Sequence, residues 1–417
     1  MHKLITRNST YSLFLFQFFT LLTSTIYAGS QAPTTYHHPQ KNHYPNDISF
    51  CIVDLKFDGT TIKICEFGEG LESRFQGYEA LYGTGAMWQK VWPQLANYQL
   101  PLFTVRQSFS AANTQEYAYA TLTKLSKVIA PTLDALTQHK LFKQAYQRAN
   151  NRTNKHTDTA GIAGHAGLIL APTAKKSTDQ LALLHKNFRT TDNQPTFLLL
   201  GNATTRFVIS KSATDGLFTS PELTQFRPRS IIIPKAYDPS TAQRVNEQLK
   251  SPLIVVKPLN AALGNGVIII EADRLDHLLK LIALKSPALR DQGDRSSYDH
   301  WLSSSGNQLL VESFHASKTI TVNNKSYNPT MRVAFCLAND AGAISITFMG
   351  SYWKLPAYAL DEPGTLIQHH KSSIAHDNSR VSSAFVDPID YLIVQANLCK
   401  VLPGLYKRML ADTATKN

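Results

Sequence analysis

Lys257 closes an apolar, β-branched run, Leu253 to Val256, that reads as a buried strand. Pro258 follows, then a loop of mostly small residues from Asn260 to Gly266, with glycines at Gly264 and Gly266. A second apolar run spans Val267 to Ile270. A lysine at the end of a buried strand is costly unless a ligand or a carboxylate meets it. Glycines let backbone N–H groups approach oxygen atoms closely. Lysine and loop together suit a bound phosphate; they suit a glycine turn between two core strands equally well. The loop lacks GK[ST] and a following helix, which excludes a Walker-type site. Arg332 in NPTMRVAF and Lys354 in SYWKLP also stand in apolar, strand-like surroundings. An arginine there can fork onto a phosphate or pair with an acid across the sheet. No Gly-x-Ser-x-Gly, HExxH, Cys/His nucleophile pattern or nucleic-acid module accompanies them.

The elements that must position these side chains follow from the pattern. Ile48 to Phe67 predicts a hairpin turning at Asp58-Gly59, apolar on both faces and so belonging inside a covered sheet. One face would carry Phe50, Ile52, Ile62 and Ile64, the other Val53, Leu55, Cys65 and Phe67. Glu69 to Arg148 predicts mostly helix, over Met87–Leu95, Gln115–Ile129 and Thr132–Ala149. Strand and helix then alternate: a strand at Leu168–Leu170, a helix at Thr178–Lys186, a strand at Thr196–Leu200. That alternation argues for a small parallel sheet. A strand at Ile231–Ile233, helices at Ser240–Leu249 and Arg274–Ile282, and a strand at Asn307–Val311 surround the lysine hairpin. Met331–Ala338 and Ile344–Gly350 form an antiparallel pair, and Tyr391–Leu410 a closing helix containing Pro403.

In wording, VVKPLNAALGNGVIII resembles the lysine strand and glycine-rich lid of the ATP-grasp superfamily, its glutathione-synthetase-like members above all. The resemblance runs from about Phe207 to Pro356. Lys211 in VISKSATDGLF matches the upstream lysine, RPRSIIIPKAY the linking strand, and Glu312 in LLVESF the hinge that meets adenine. Lys235 competes with Lys211 for its role. Arg332 and Lys354 match the basic residues facing the phosphates. The ribose-binding acid is not evident, and the late D…ExN metal strands are missing. CIVDLKFDGTTIKICEFGEG, near the N-terminus, is similar to that metal hairpin, with Asp54 and Glu66 as Mg²⁺ ligands and Gly68 where asparagine is expected. This implies a circular permutation. Asp54 and Glu66 share a face if the loop has three residues, Asp58 to Thr60, pairing Phe57 with Thr61. His369, His370 and Asn378 lie where relatives carry substrate contacts; a plain loop fits there too.

The resemblance implies an α/β protein of ATP-grasp fold: two subdomains clasping a nucleotide, a small Rossmann-like preliminary domain and a helical N-terminal region before them. The expected division is a signal peptide at 1–30, a linker at 31–47, the hairpin at 48–67, a mainly helical region at 68–160, a preliminary α/β domain at 161–225 and the ATP-grasp subdomains with closing helix at 226–417. The implied activity is an ATP- and Mg²⁺-dependent ligase, joining a small-molecule carboxylate to an amine or thiol through an acyl phosphate. Two other readings share the site: a catalytically inactive, exported nucleotide- or anion-binding protein, and a small-molecule kinase.

Composition bounds these expectations. The 417 residues, 43% hydrophobic and 17% charged, suit a globular protein. The formal net charge of +12 comes without clustered basic runs, so an anionic substrate is expected rather than nucleic acid. Lys3, Arg7, an uncharged stretch from Tyr11 to Ile26 and Ala28-Gly29-Ser30 predict export through a signal peptide, or a membrane anchor if it is uncleaved. That stretch is short and polar in places, and no stable membrane span is expected. Cys51, Cys65, Cys336 and Cys399 permit two disulfides, but free thiols are the default at this density.

Overall fold

The computed structural model describes residues 33–70, 75–105, 126–153, 162, 165–171, 187–188, 197–259, 261, 264–291, 295–372 and 382–415. It is a mixed α/β fold with several sheets. In chain order the strands are β1 (Thr34–Lys41), β2 (Asp47–Phe57), β3 (Ile62–Glu69), β4 (Leu102–Val105), β5 (Ser126–Ala130), β6 (Gly167–Leu170), β7 (Phe197–Leu199) and β8 (Ser230–Pro234). Then come β9 (Leu253–Pro258), β10 (Ile268–Glu271), β11 (Gln308–Ser313), β12 (Ile320–Val322), β13 (Lys325–Tyr327), β14 (Thr330–Asp340), β15 (Ala343–Lys354) and β16 (Ser383–Ala384).

A central antiparallel sheet has the order β1-β15-β14-β2-β3, with β16 also on β15. Every residue of β2 is buried, as apolar side chains on both faces require. Cys51, Val53, Leu55 and Phe57 join Phe335, Leu337 and the long helix Pro388–Ala414 in one core. Ile48, Phe50 and Ile52 join Ala334, Cys336, Trp88 and Leu168 in a second core on the opposite face. The antiparallel sheet β10-β9-β11-β8 packs on helices Pro239–Leu249 and Leu275–Ala283. A parallel sheet, β5-β4-β6-β7, packs on helices Leu133–Gln138 and Lys140–Thr153.

The structure departs from the sequence expectations in three places. Thr34–Lys41, expected within a flexible linker, is the edge strand β1; its side chains are almost all exposed, so composition carries no strand alternation. The region 68–160 contributes β4 and β5, half of the parallel sheet; of the helix expected over 115–129, residues 126–129 are strand. The hairpin loop has four residues rather than three, because Phe57 pairs with Ile62. Asp58 fixes that loop by accepting bonds from Thr60 and Thr61, including both backbone N–H groups at 2.8 and 2.7 Å. The extra residue sends Ile62 and Ile64 to the face of Leu55 and Phe57, not that of Phe50 and Ile52. The signal segment 1–30, the helix expected at 178–186 and Asn378 lie outside the described residues.

Candidate functional site

Where the central sheet meets the second sheet, a cavity of about 440 Å³ opens. The even-numbered face of β2 builds one wall. It begins apolar, with Ile48, Phe50 and Ile52, and turns charged at Asp54 and Lys56. A β-bulge opposite Asp54 seats Cys65 and Glu66 against one residue of β2, and both line the cavity. Glu66 is thereby the cross-strand partner of Asp54. The shared face expected of a three-residue loop is reached by a four-residue loop plus this bulge. β14 supplies Arg332 and β15 supplies Lys354. From the second sheet come Lys257 and Glu312, with Val255, Ile269 and Phe314 as an apolar wall. Lys211, at the first turn of a short helix, and Gly264 complete the rim.

The charges are tied together in two groups. Arg332 grips Asp54 through Nε and Nη2, at 2.7 and 2.8 Å, and Lys354 Nζ donates to Asp54 Oδ2 at 2.8 Å. Burial pushes the Asp54 carboxyl up, but the two cations outweigh it and hold it well below the usual range. Burial and the neighbouring Arg332 lower the Lys354 ammonium. In the second group, Glu312 receives Lys257 on one carboxylate oxygen and Arg227 Nη2 on the other, the latter at 2.8 Å. Burial raises the Glu312 carboxyl; Lys257 and Arg227 outweigh it and keep it ionised. Burial alone would lower the Lys257 ammonium, but Glu312 raises it above its ordinary value. Lys211 Nζ donates to the Ala261 carbonyl, joining helix to lid loop, and burial lowers its pKa.

Lys56 and Arg227 are site residues that the sequence reading missed. Lys56 Nζ donates only to the Pro329 carbonyl, at 2.9 Å, and among the described residues no carboxylate pairs with it. Burial brings its pKa down to about 8. The signal for Lys56 was its place two residues from Asp54 on one strand, hence on one face. Arg227 precedes its strand in FRPRS and had no such context; it also holds the Ile64 and Cys65 carbonyls, both at 3.1 Å, bracing the bulge. Of the remaining expected residues, Gly264 and Gly266 both sit at φ +72 in the loop, and Gly266 is not among the cavity's lining residues. His370 lines the cavity, with its pKa lowered to about 4 by burial and Lys56. Lys235 donates to the Ser304 carbonyl at 2.9 Å and does not line the cavity.

The donor set does not suit a metal held by both acids. Each Asp54 oxygen already carries a cationic donor. The position of the expected asparagine has no room for it: a Cβ on Gly68 would stand 2.8 Å from the Ile52 side chain. Glu69, the next residue on β3, does not line the cavity and cannot replace it. Among the described residues no group of three or more His, Cys, Asp or Glu could hold a metal ion.

No family model and no curated protein matches the chain. Solved structures similar to it include a gamma-glutamylcysteine synthetase-like protein from Methylobacillus flagellatus, at 11% identity and TM-score 0.38, covering 89% of each chain. A glutathione synthetase-like effector from Globodera pallida in apo form is 14% identical, with TM-score 0.35, over 75% of this chain and 74% of that one. The D-alanyl-alanine synthetase A of Vibrio cholerae is 11% identical, with TM-score 0.27, over 57% and 59%. These neighbours are all ATP-grasp superfamily members.

Proposed function

We propose that the chain is a circularly permuted ATP-grasp relative that binds ATP in the cavity and uses it to ligate a small carboxylate to an amine or thiol. The observation that carries this reading is the charge around the cavity. Six lysine and arginine side chains, Lys56, Lys211, Lys257, Arg332, Lys354 and Lys371, face three carboxylates, Asp54, Glu66 and Glu312. Such an excess in a partly dehydrated cleft suits a polyphosphate. The wall of Val255, Ile269 and Phe314 gives an adenine ring an apolar seat beside the end of β11. The two subdomains would be the central sheet with its helix and the sheet carrying Lys257, with β2 and β3 as the permuted hairpin.

In the proposed reaction a substrate carboxylate oxygen attacks the γ-phosphorus, and the bond from that phosphorus to the β-γ bridging oxygen breaks, releasing ADP. The nucleophile then displaces phosphate from the acyl carbon. Phosphoryl transfer needs positioning and charge stabilisation above all. Lys257, Lys211, Arg332 and Lys354 would provide both, held in place by Glu312 and Asp54. Asp54 is occupied by Arg332 and Lys354, so Asp54 and Glu66 do not offer Mg²⁺ a pair of free carboxylates. Calorimetric titration tests the reading: ATP should bind, and Lys257→Ala should slow ADP release by about 10²–10³, the usual loss for one preorganised donor. A folded sample that binds no ATP, with or without Mg²⁺, rules the reading out.

One observation favours the second reading, a non-catalytic nucleotide- or anion-binding protein: Asp54 and Glu312 are both spent on protein cations. ATP binding that is indifferent to Mg²⁺, with no ADP formed from any carboxylate–amine pair tried, would select it. We further propose export after cleavage following Ala28 or Ser30. Mass spectrometry of the native protein finding Met1 intact would favour an anchor instead; among the described residues no helix is long and apolar enough to cross a membrane.

A further inference from the structure

On the far side of the β11 terminus lies a second cavity, also of about 440 Å³, lined by Lys63, Arg227, Arg229, Lys250, Ser313 and His315 among others. None of its lining residues is acidic. The acids near it are already engaged, Asp215 by Arg227 and Ser230. Asp58 is occupied by Thr60 and Thr61 of its own turn, and Glu312 by Lys257 and Arg227. Lys63 donates to the Gln225 carbonyl at 2.5 Å and, among the described residues, forms no ion pair; Arg229 is exposed. The cations crowd one another. Burial and Arg229 lower the Lys63 ammonium, and burial, Lys63 and Arg229 lower the His315 imidazole. Like charges gathered into a concave surface with no acid in its lining are stabilised by an anion; Asp58 and Glu312 nearby offset them only in part.

We propose that this second cavity binds a small polyanion, its phosphate or carboxylate groups held by Lys63, Arg229 and Lys250. The inference goes beyond the nucleotide reading and does not need it. The site would also be wired to the first cavity. Arg227 lines the second cavity while gripping Glu312, and Glu312 holds Lys257 in the first. Ser313, Phe314 and His315 line both.

The experiment is calorimetric titration of the full chain with pyrophosphate and with citrate, which separate phosphate from carboxylate recognition. Four proteins are compared: the wild type, Lys63→Ala/Arg229→Ala, Lys56→Met/Lys371→Met in the first cavity, and Lys143→Ala/Arg148→Ala as a charge control on an exposed helix face. The expected result is a binding step for at least one probe, weakened about tenfold or more in the Lys63/Arg229 variant, as loss of charged hydrogen bonds predicts, and kept in the other two. Binding of neither probe, or wild-type affinity in the Lys63/Arg229 variant, overturns the proposal. Equal weakening in the charge control overturns it too, since that is net charge alone. ATP titrated into the same proteins reports on the first cavity independently, so the failure of one reading is distinguishable from the failure of the other.

Discussion

Lys56 is a buried ammonium in the cavity wall that donates to a carbonyl and, among the described residues, forms no ion pair. Its pKa of about 8 makes the charge of the cavity adjustable within an accessible range. As pH falls from 9 to 7 the side chain gains its proton, so ATP should bind more tightly at pH 7 than at pH 9. Lys56→Met should flatten that difference; titrations at both pH values in which the variant keeps the full slope would count against this. Glu312 behaves in the opposite sense. Its folded pKa lies below the ordinary 4.5 and that of Asp54 below 3.8, so the unfolded chain takes up protons first. Stability from both acids is complete above these values and falls as pH drops through and below them. Glu312→Gln leaves Lys257 and Arg227 buried without their anion and should cost about 3–5 kcal/mol, read by urea denaturation, with a shallower acid limb. At this scale the sequence was informative for Arg332 and Lys354, because charged side chains in apolar strands must have partners. It did not reveal that the partner of both is Asp54, since nothing local pairs residues so far apart.

Among the elements, β8, β9, β10 and β11 were legible because apolar runs with clear stops leave few alternatives. The bulge was not read: Cys65 and Phe67 were expected on the face opposite Ile62 and Ile64, as in an unbroken strand, whereas Phe67 shares a core with both because Cys65 is the inserted residue. β4 and β5 were lost because strands of four and five residues have too little length to show alternation against helical neighbours. The lid offers a test of backbone requirement. Gly266 has φ +72, and a Cβ there would stand 2.6 Å from the His300 ring and 2.9 Å from Pro258. Gly266→Ala should destabilise the fold by about 1–2 kcal/mol for the left-handed backbone alone, and more through the clash. Chemical denaturation showing no loss would mean that the loop rearranges freely.

For the whole molecule, the layered α/β character followed from strand and helix alternation, while the assignment of strands to sheets did not, because pairing across hundreds of residues has no local signature. β1 illustrates the cost of an edge. Deleting residues 1–41 uncovers one edge of β15, so the truncated protein should keep its ATP affinity yet aggregate more readily on warming, measured by light scattering alongside titration; loss of affinity would mean that the edge strand supports the site. The central sheet carries a further consequence, for the order of synthesis. Asp54 meets Arg332 across 278 residues and Lys354 across 300. At about 5–20 residues per second, β2 waits roughly 15–60 s on the ribosome for its partner β14. Throughout that interval β2 lacks its β14 neighbour and the long helix Pro388–Ala414 that covers one of its faces, while Trp88 and Leu168, which pack on the other, are made earlier. A chain terminated short of Lys354 lacks the second cation on Asp54 and the long helix that covers one face of the hairpin, so it should fold less cooperatively than the full chain.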